Sequence, residues 1–324
     1  MCEIFKYEDF YYDEWNNFVI QSNNGTIFHR LDFLDYHGEK FKENIHHLMW
    51  FKKNKLYAVM PMGLFNEQNT ICAKSPIGAS YGGLVTKLPL SYVESSSIVD
   101  SLIRYLKGLC VKKISITLPL RIVDKIYSDT LFFSFLERGF KIINSDISTI
   151  IPIQNQFNEL EFLNKKNKEV ERKARKALQS NVILKFHEPP ERFWEILQIN
   201  FKKFETGPTH SFDEWAFLCK KFPLSIWSDL AYIGDLPIAG IGHIKISNKI
   251  DCSFYICNDV RYKHTQALSY LLFNIIEEAR QDGINWIDLG TSSYQMKGRE
   301  NIFRFKESLG GTGCFRHTIE LTLS

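Results

Sequence analysis

Two periods of apolar residues alternate along the last third of this chain. Runs at 230–233, 237–246 and 250–257 are short, apolar and β-rich, and they are separated by Gly234-Asp235 and Ser247-Asn248-Lys249. They predict three successive strands joined by tight turns. The period then changes. Leu268, Leu271, Leu272, Ile275, Ile276 and Ala279 fall at helical spacing, which predicts a helix over 265–281 that stops at Gly283. A strand at 284–289 and a short helix at 302–309 follow. Beyond Gly310-Gly311, Phe315, His317, Ile319, Leu321 and Leu323 share one parity and predict a closing strand.

The first third shows a similar order. A strand at 45–51, the polar turn 52–55 and renewed apolar character over 56–64 read as a hairpin. A glycine- and proline-punctuated link at 75–85 leads to a helix at 97–108, a strand at 113–118, a helix at 131–137 and a β-branched strand at 142–153. Between the two halves the pattern turns basic. Lys165, Lys166, Lys168, Arg172, Lys173, Arg175 and Lys176 stand beside Val170, Ala174, Ala177 and Leu178 at helical spacing, predicting an amphipathic helix with a cationic face. A short strand at 181–184 and a helix at 193–204 come next. Gly207-Pro208 then breaks the chain, and Ser211 with Glu214 forms a capping box before a further helix. The expected fold is α/β with mixed sheets. The matching order of the two ends suggests a duplicated fold, with domains at 1–155 and 156–324.

Composition narrows this little. Apolar residues are 44% and charged residues 24% of the 324, an ordinary globular balance with enough apolar material for a sizeable core. The 26 phenylalanines read as core filler. A net charge of +3 is too small to imply nucleic acid as a partner, which only a local cluster could do; no DNA partner is expected. Seven cysteines form no CxxC pair, and Cys110, Cys252 and Cys257 lie in apolar runs that read as buried. The first ten residues mix charge and apolar character unlike a signal peptide, and no apolar stretch approaches ~18 residues, so a cytoplasmic location is expected. The histidines form no metal-ligand motif; His46 and His47 on a strand would point to opposite faces. No nucleophile elbow, P-loop or dinucleotide fingerprint is present.

Candidate chemistry gathers near the end of the chain. Asp288 ends a strand that opens into the polar run Thr291 to Gln295, where ligands of open α/β sheets collect. It could accept a proton from an acceptor group, or only order the following loop. Arg304 and Lys306 are two apart on a short helix, so they do not share one face: one could point inward while the other faces water, or Lys306 could be a solvated lysine beside a turn. A lysine at a forming oxyanion stabilises it, and Gly310-Gly311 could present amides to an anion. The basic helix could meet tRNA, a nucleotide-linked substrate or an anionic lipid surface, or be a solvated face.

The segments Ile287-Asp288-Leu289-Gly290 and Phe305-Lys306-Glu307-Ser308-Leu309-Gly310-Gly311, in that order after a strand and a helix, resemble the C-terminal module of FemAB-like proteins within the GNAT acyltransferase superfamily. The run Glu171 to Ala177 resembles the basic helix that opens that module. Phe28 to Leu34 resembles the family's N-terminal helix start, and Tyr81-Gly82-Gly83 a loop near its substrate cleft. The resemblance implies two tandem GNAT-like domains with a cleft between them, and transfer of an acetyl or aminoacyl group onto an amine or hydroxyl of a cell-envelope precursor or sugar-linked substrate. It implies Lys306 as the residue facing the acyl carbonyl, with Asp288 and Tyr294 helping the acceptor lose its proton. Tyr81, Gly82, Arg172, Tyr255 and Arg304 are the implied substrate contacts. Acyl-CoA is the implied donor, with aminoacyl-tRNA as the alternative and no metal. Donor contacts would fall to Arg261, Lys263, Thr265, Gly310 and Gly311.

Two features depart from the family pattern. Residues 260–268 contain no glycine where GNAT acetyltransferases carry the loop that cradles the coenzyme pyrophosphate. Residues 188–227 offer only short helices in place of the coiled-coil arm of some tRNA-dependent relatives. The rival expectation is a non-catalytic module on the same scaffold, binding a glycan, a nucleotide-sugar or a protein.

Overall fold

The computed structural model describes residues 2–153, 171–202 and 207–323. The chain forms two compact units, residues 1–146 with 315–324, and residues 147–314. It passes between them inside two strands, Lys141–Pro152 and Thr312–Thr322. The closing strand, expected with the second domain, therefore ends in the first unit.

In the first unit, strands Leu48–Lys52 and Lys55–Met60 pair antiparallel around Lys53-Asn54, both in the left-handed region. A two-residue turn of this hand matches the right-handed twist of the strands it joins. Gln68-Asn69 repeats the device between Gly63–Glu67 and Thr70–Ser75, a second hairpin hidden in the sequence behind Pro61. Glu3–Lys6 and Val85–Thr86 complete the first sheet, and Lys113–Thr117 with the end of the closing strand extends the second hairpin into another. Alternate residues of Leu48–Lys52 face opposite cores. Leu48 and Trp50 meet Ile98, Val99 and Leu102 of helix Tyr92–Gly108, whereas Met49 meets Trp15 and Val19 of helix Tyr12–Gln21. Covering on both faces makes this hairpin read as an apolar run rather than an alternation. Cys110 is exposed in the left-handed turn after the long helix, against the expectation of burial, while Cys252 and Cys257 are buried.

The second unit is a sheet in the order Lys141–Pro152, Trp286–Thr291, Ile250–Asn258, Leu236–Ser247, Ile226–Ile233, Ile183–Lys185. All neighbours are antiparallel except Ile250–Asn258 and Trp286–Thr291, a parallel pair bridged by helix Ala267–Gln281. That helix lays Leu271, Leu272 and Ile275 on Ala239 and Ile241. Helices Pro190–Phe201 and Phe212–Lys221 cover the other face, and two strand glycines let them approach. A Cβ on Gly242 would stand 2.9 Å from both Phe193 Cζ and Trp215 Cζ2. On the opposite face, the one that helix Ala267–Gln281 covers, His243 is fully buried, its Nδ1 2.6 Å from Asp251 Oδ2 and its ring stacked on Trp227. Its Nε2 lies 3.1 Å from Asp229 Oδ2, off the line of a hydrogen bond.

Residues 171–179 are helical, which places Arg172, Lys173, Arg175 and Lys176 of the expected basic helix; Lys165, Lys166, Lys168 and Val170 lie outside the described residues.

Candidate active site

The parallel pair is in register only from Ile250↔Trp286 to Cys252↔Asp288, yet its strands run on to Asn258 and Thr291. Past that point each strand loses its partner on this side and the sheet opens. A bulge sharpens the opening: opposite Gly242 and His243 stand Tyr255 and Ser253, leaving Phe254 as the extra residue. A cavity of about 550 Å³ occupies the gap. Its walls come from one strand at Ser253, Phe254 and Ile256 and from the other at Leu289, Gly290 and Thr291. All of its lining residues belong to the second unit.

Lys306 closes one side. The helix Glu300–Glu307 turns it inward, leaving it 5% exposed, while Arg304 points to solvent and pairs with Glu300. The Lys306 ammonium donates to the carbonyls of Gly290 at 2.7 Å and Thr291 at 3.0 Å. A charge with this little contact with water depends on such polar partners. Asp288 approaches the same turn from the other side. Its Oδ1 accepts from the Gly290 amide at 2.8 Å and from Ser148 Oγ at 2.5 Å. Gly290, at φ +74°, supplies the left-handed turn that both residues grip. Asp288 is buried and is not part of the cavity wall.

The cavity has a cationic and an apolar side. Lys173 and Lys263 join Lys306, while Ile238, Ile256, Leu289 and Phe305 supply apolar surface. Lys173 reaches Ser308 Oγ at 3.2 Å, tying the basic helix to the Lys306 helix. The lining carboxylate Asp259 is bonded to the Arg261 guanidinium at 2.6 Å. Ser253 Oγ, buried on the wall, has no hydrogen-bond partner among the described residues.

The other expected site residues go elsewhere. Arg261 is committed to Asp259, and Thr265 Oγ1 donates to the Tyr262 carbonyl at 2.7 Å within the turn Val260–Thr265. Gly310 and Gly311 amides donate to the carbonyls of Glu307 and Lys306, finishing the helix rather than facing a ligand. Tyr294 is 58% exposed on the small hairpin with Lys297-Gly298, under the Arg299 guanidinium. Tyr255 is buried beneath the sheet, its hydroxyl bonded to the His210 amide and ring. Arg172 is exposed on its helix. Tyr81 and Gly82 belong to the first unit, where Tyr81 packs on Phe28 and the Gly82 amide bonds to the Thr117 carbonyl. Of the expected residues, Lys306 and Lys263 share the cavity. Ser253, Asn200 and Asn258 were missed. Ser253 could have been suspected as a small polar residue in an otherwise apolar strand. The two asparagines carry no signal, because Asn200 lies on helix Pro190–Phe201 and Asn258 at the end of its strand, and only the tertiary fold brings both to the wall.

No family model matches the chain, and no curated protein sequence matches it. Solved structures do. A crystal structure of FemX superposes with a TM-score of 0.70 over 99% of this chain and 97% of that one, at 11% identity. The fold is that of FemX. The FemX-like fold extends to the C-terminal DUF2156 domain of an Agrobacterium fabrum protein assigned as a lysylphosphatidylglycerol synthetase, with TM-score 0.59, 9% identity, and coverage of 95% and 91%. A tandem GNAT protein from the clavulanic acid biosynthesis pathway is similar at TM-score 0.53 and 5% identity, over 99% and 98% of the two chains. Among the described residues no group of His, Cys, Asp or Glu is placed to hold a metal ion, and no helix is long and apolar enough to cross a membrane.

Proposed function

We propose that this protein transfers an acyl group onto an amine or hydroxyl, with the donor carbonyl against Lys306 and an aminoacyl ester of RNA as the donor. The observation that carries the reading is the buried Lys306 ammonium, fixed by two backbone carbonyls on the wall of a cavity between splayed strands. When the acceptor attacks the acyl carbon, a C–N or C–O bond forms and negative charge gathers on the carbonyl oxygen. A cation already in place stabilises that charge without reorganising. The bond to the donor's ribose oxygen then breaks, and the acceptor's proton passes to the departing group. Asp288 is better read as a positioning residue: it holds the Gly290 turn on which Lys306 rests.

The choice of donor follows from the turn before helix Ala267–Gln281. It is closed on itself through Asp259, Arg261 and Thr265 and offers no glycine cradle for a pyrophosphate. That does not fit coenzyme A held in the usual way. Lys173 and Lys263 in the cavity, with Arg172, Arg175 and Lys176 exposed on the same helix as Lys173, suit successive phosphates of a nucleic-acid strand. The acceptor class, an amine or hydroxyl of a cell-envelope or sugar-linked molecule, is the one that the FemAB-like motifs of the sequence imply.

The test supplies radiolabelled aminoacyl-tRNA or acetyl-CoA together with a panel of amino sugars and UDP-linked sugars. Product from aminoacyl-tRNA is expected. Lys306→Ala should lower its turnover by about 10²–10³, the typical loss of one preorganised donor at an oxyanion. Undiminished turnover by Lys306→Ala would remove Lys306 from the chemistry, and product from acetyl-CoA alone would replace the donor. Binding without turnover of either donor would leave a binding module on this fold.

A further inference from the structure

Ser253 stands at the root of the gap between the splayed strands. The last pair of the parallel strands is Cys252↔Asp288. Ser253 is the next residue on its strand, and Gly290, whose carbonyl holds the Lys306 ammonium, follows two residues after Asp288 on the other. Paired strands lie about 5 Å apart, so these two positions flank the gap where it is narrowest.

The Ser253 side chain is on the face that helix Ala267–Gln281 covers. Its cross-strand partner is His243, and opposite residues of an antiparallel pair share a face. A Cβ on Gly242, one residue before His243, would point the other way, at Phe193 and Trp215. The first residues of the covering helix, Ala267, Leu268 and Ser269, line the same cavity as Ser253. Ser253 is 1% exposed, and of the lining residues it is the one whose buried side-chain oxygen lacks a hydrogen bond among the described residues. Other polar groups of the wall are engaged: Asp259 by Arg261, and Asn200 by the amide of Asn258. Ile238, Ala239 and Leu289 give the same wall deeply buried apolar surface. A buried hydroxyl without a partner is unfavourable, so a ligand that supplies one is selected.

We infer that Ser253 selects donors whose acyl group bears an α-amino group: with the acyl carbonyl oxygen against Lys306, the amine on the adjacent carbon shares a hydrogen bond with Ser253 Oγ. This rests on the transfer reading and names the part of the donor that the site inspects. The Lys306 charge disfavours a second cation beside it, which keeps the amine neutral. A neutral amine can donate to a hydroxyl or accept from it. An acetyl or propionyl group places only C–H there and leaves Ser253 unpaired, the situation in which a polar site rejects an analogue.

Calorimetry on the full chain tests this with two adenosine derivatives, in which the adenosine stands for the last nucleotide of the RNA. A 3′-amide holds either an L-alanyl or a propionyl group and prevents its release, so the pair differs only in the α-amino group. At about pH 8, near the ordinary pKa of an α-amino group, the alanyl derivative is expected to bind about tenfold more tightly. Ser253→Ala should erase most of that ratio by weakening the alanyl derivative alone. The substitution removes an unpaired hydroxyl, so the variant should melt at or above the temperature of the parent. Equal binding of the two derivatives, or a ratio kept in Ser253→Ala, would overturn the role of Ser253 and leave the RNA-ester donor standing. Binding of neither derivative would overturn that donor and the Ser253 seat with it. A melt several degrees lower in Ser253→Ala would show that the hydroxyl holds the fold rather than a ligand, and would overturn the seat as well.

Discussion

Gly311 has no room for a side chain. A Cβ there would stand 2.3 Å from Thr149 Cγ2 and 2.8 Å from the Lys306 carbonyl oxygen, and the second is backbone that cannot rotate away. Gly310, at φ +96°, has nothing within 4 Å of the same position. Gly311→Ala should therefore cost about 1–3 kcal/mol by overpacking and shift the end of the Lys306 helix. Gly310→Ala should cost only its backbone strain, about 1–2 kcal/mol, and leave Lys306 in place. Urea midpoints together with turnover separate the two; full activity in Gly311→Ala would show that the joint yields without moving Lys306. At this scale the sequence was partly legible. Two residues apart on a helix, Arg304 and Lys306 had to diverge, and they do. For Asp288 the sequence left two readings open, proton acceptor or orderer of the following loop, and only the fold chooses: its side chain holds the Gly290 turn together with Ser148.

Two helices begin with the same reciprocal cap. Ser211 and Glu214 open Phe212–Lys221, as their spacing predicted. Ser91 and Glu94 open Tyr92–Gly108 in the same way, although the apolar stripe placed that helix start at 97. The first turn there faces water, so periodicity has nothing to report and only the cap marks the boundary. Glu94 also bonds Lys52 on the neighbouring strand, and that bond is the largest reason its carboxyl is lowered to about 2. Ser91→Ala should destabilise the first unit by about 1 kcal/mol, the usual cost of a lost N-cap, with Ser211→Ala as the counterpart in the second. Denaturant unfolding of the two variants measures this. A midpoint unmoved by Ser91→Ala would mean that Glu94 holds the helix end through Lys52 alone.

The two units should respond to pH in opposite directions. In the first, burial lowers His29 and His47 to about 4, so the folded state binds fewer protons than the unfolded chain between about 6.5 and 4, and stability is lost as pH falls through that window. In the second, burial opposes charge on His243, but Asp251 and Asp229 outweigh it and raise the imidazole to about 10. Its contribution is complete below about 6.5 and is lost as pH rises toward 10. Thermal melts from mild acid to mild alkali, with histidine resonances followed by NMR, should show His243 still charged at about pH 8 and absent alkaline loss in His243→Gln. A His243 resonance that titrates near the ordinary histidine value would refute the clamp. None of this was visible in the sequence, where His243, Asp229 and Asp251 are merely polar positions in apolar strands. Residues close in sequence did fix a great deal: the turn-separated strands, the helix at Leu271 and Ile275, the capping box at Ser211, and the divergence of Arg304 from Lys306. Each depends on interactions a few residues long, and periodicity reports those. The cavity, the Gly290 turn held from both sides, the Asp–His–Asp contact and the return of the final strand to the first unit needed the tertiary structure. They depend on where strands stop pairing and on partners many residues apart, and no local pattern encodes that distance.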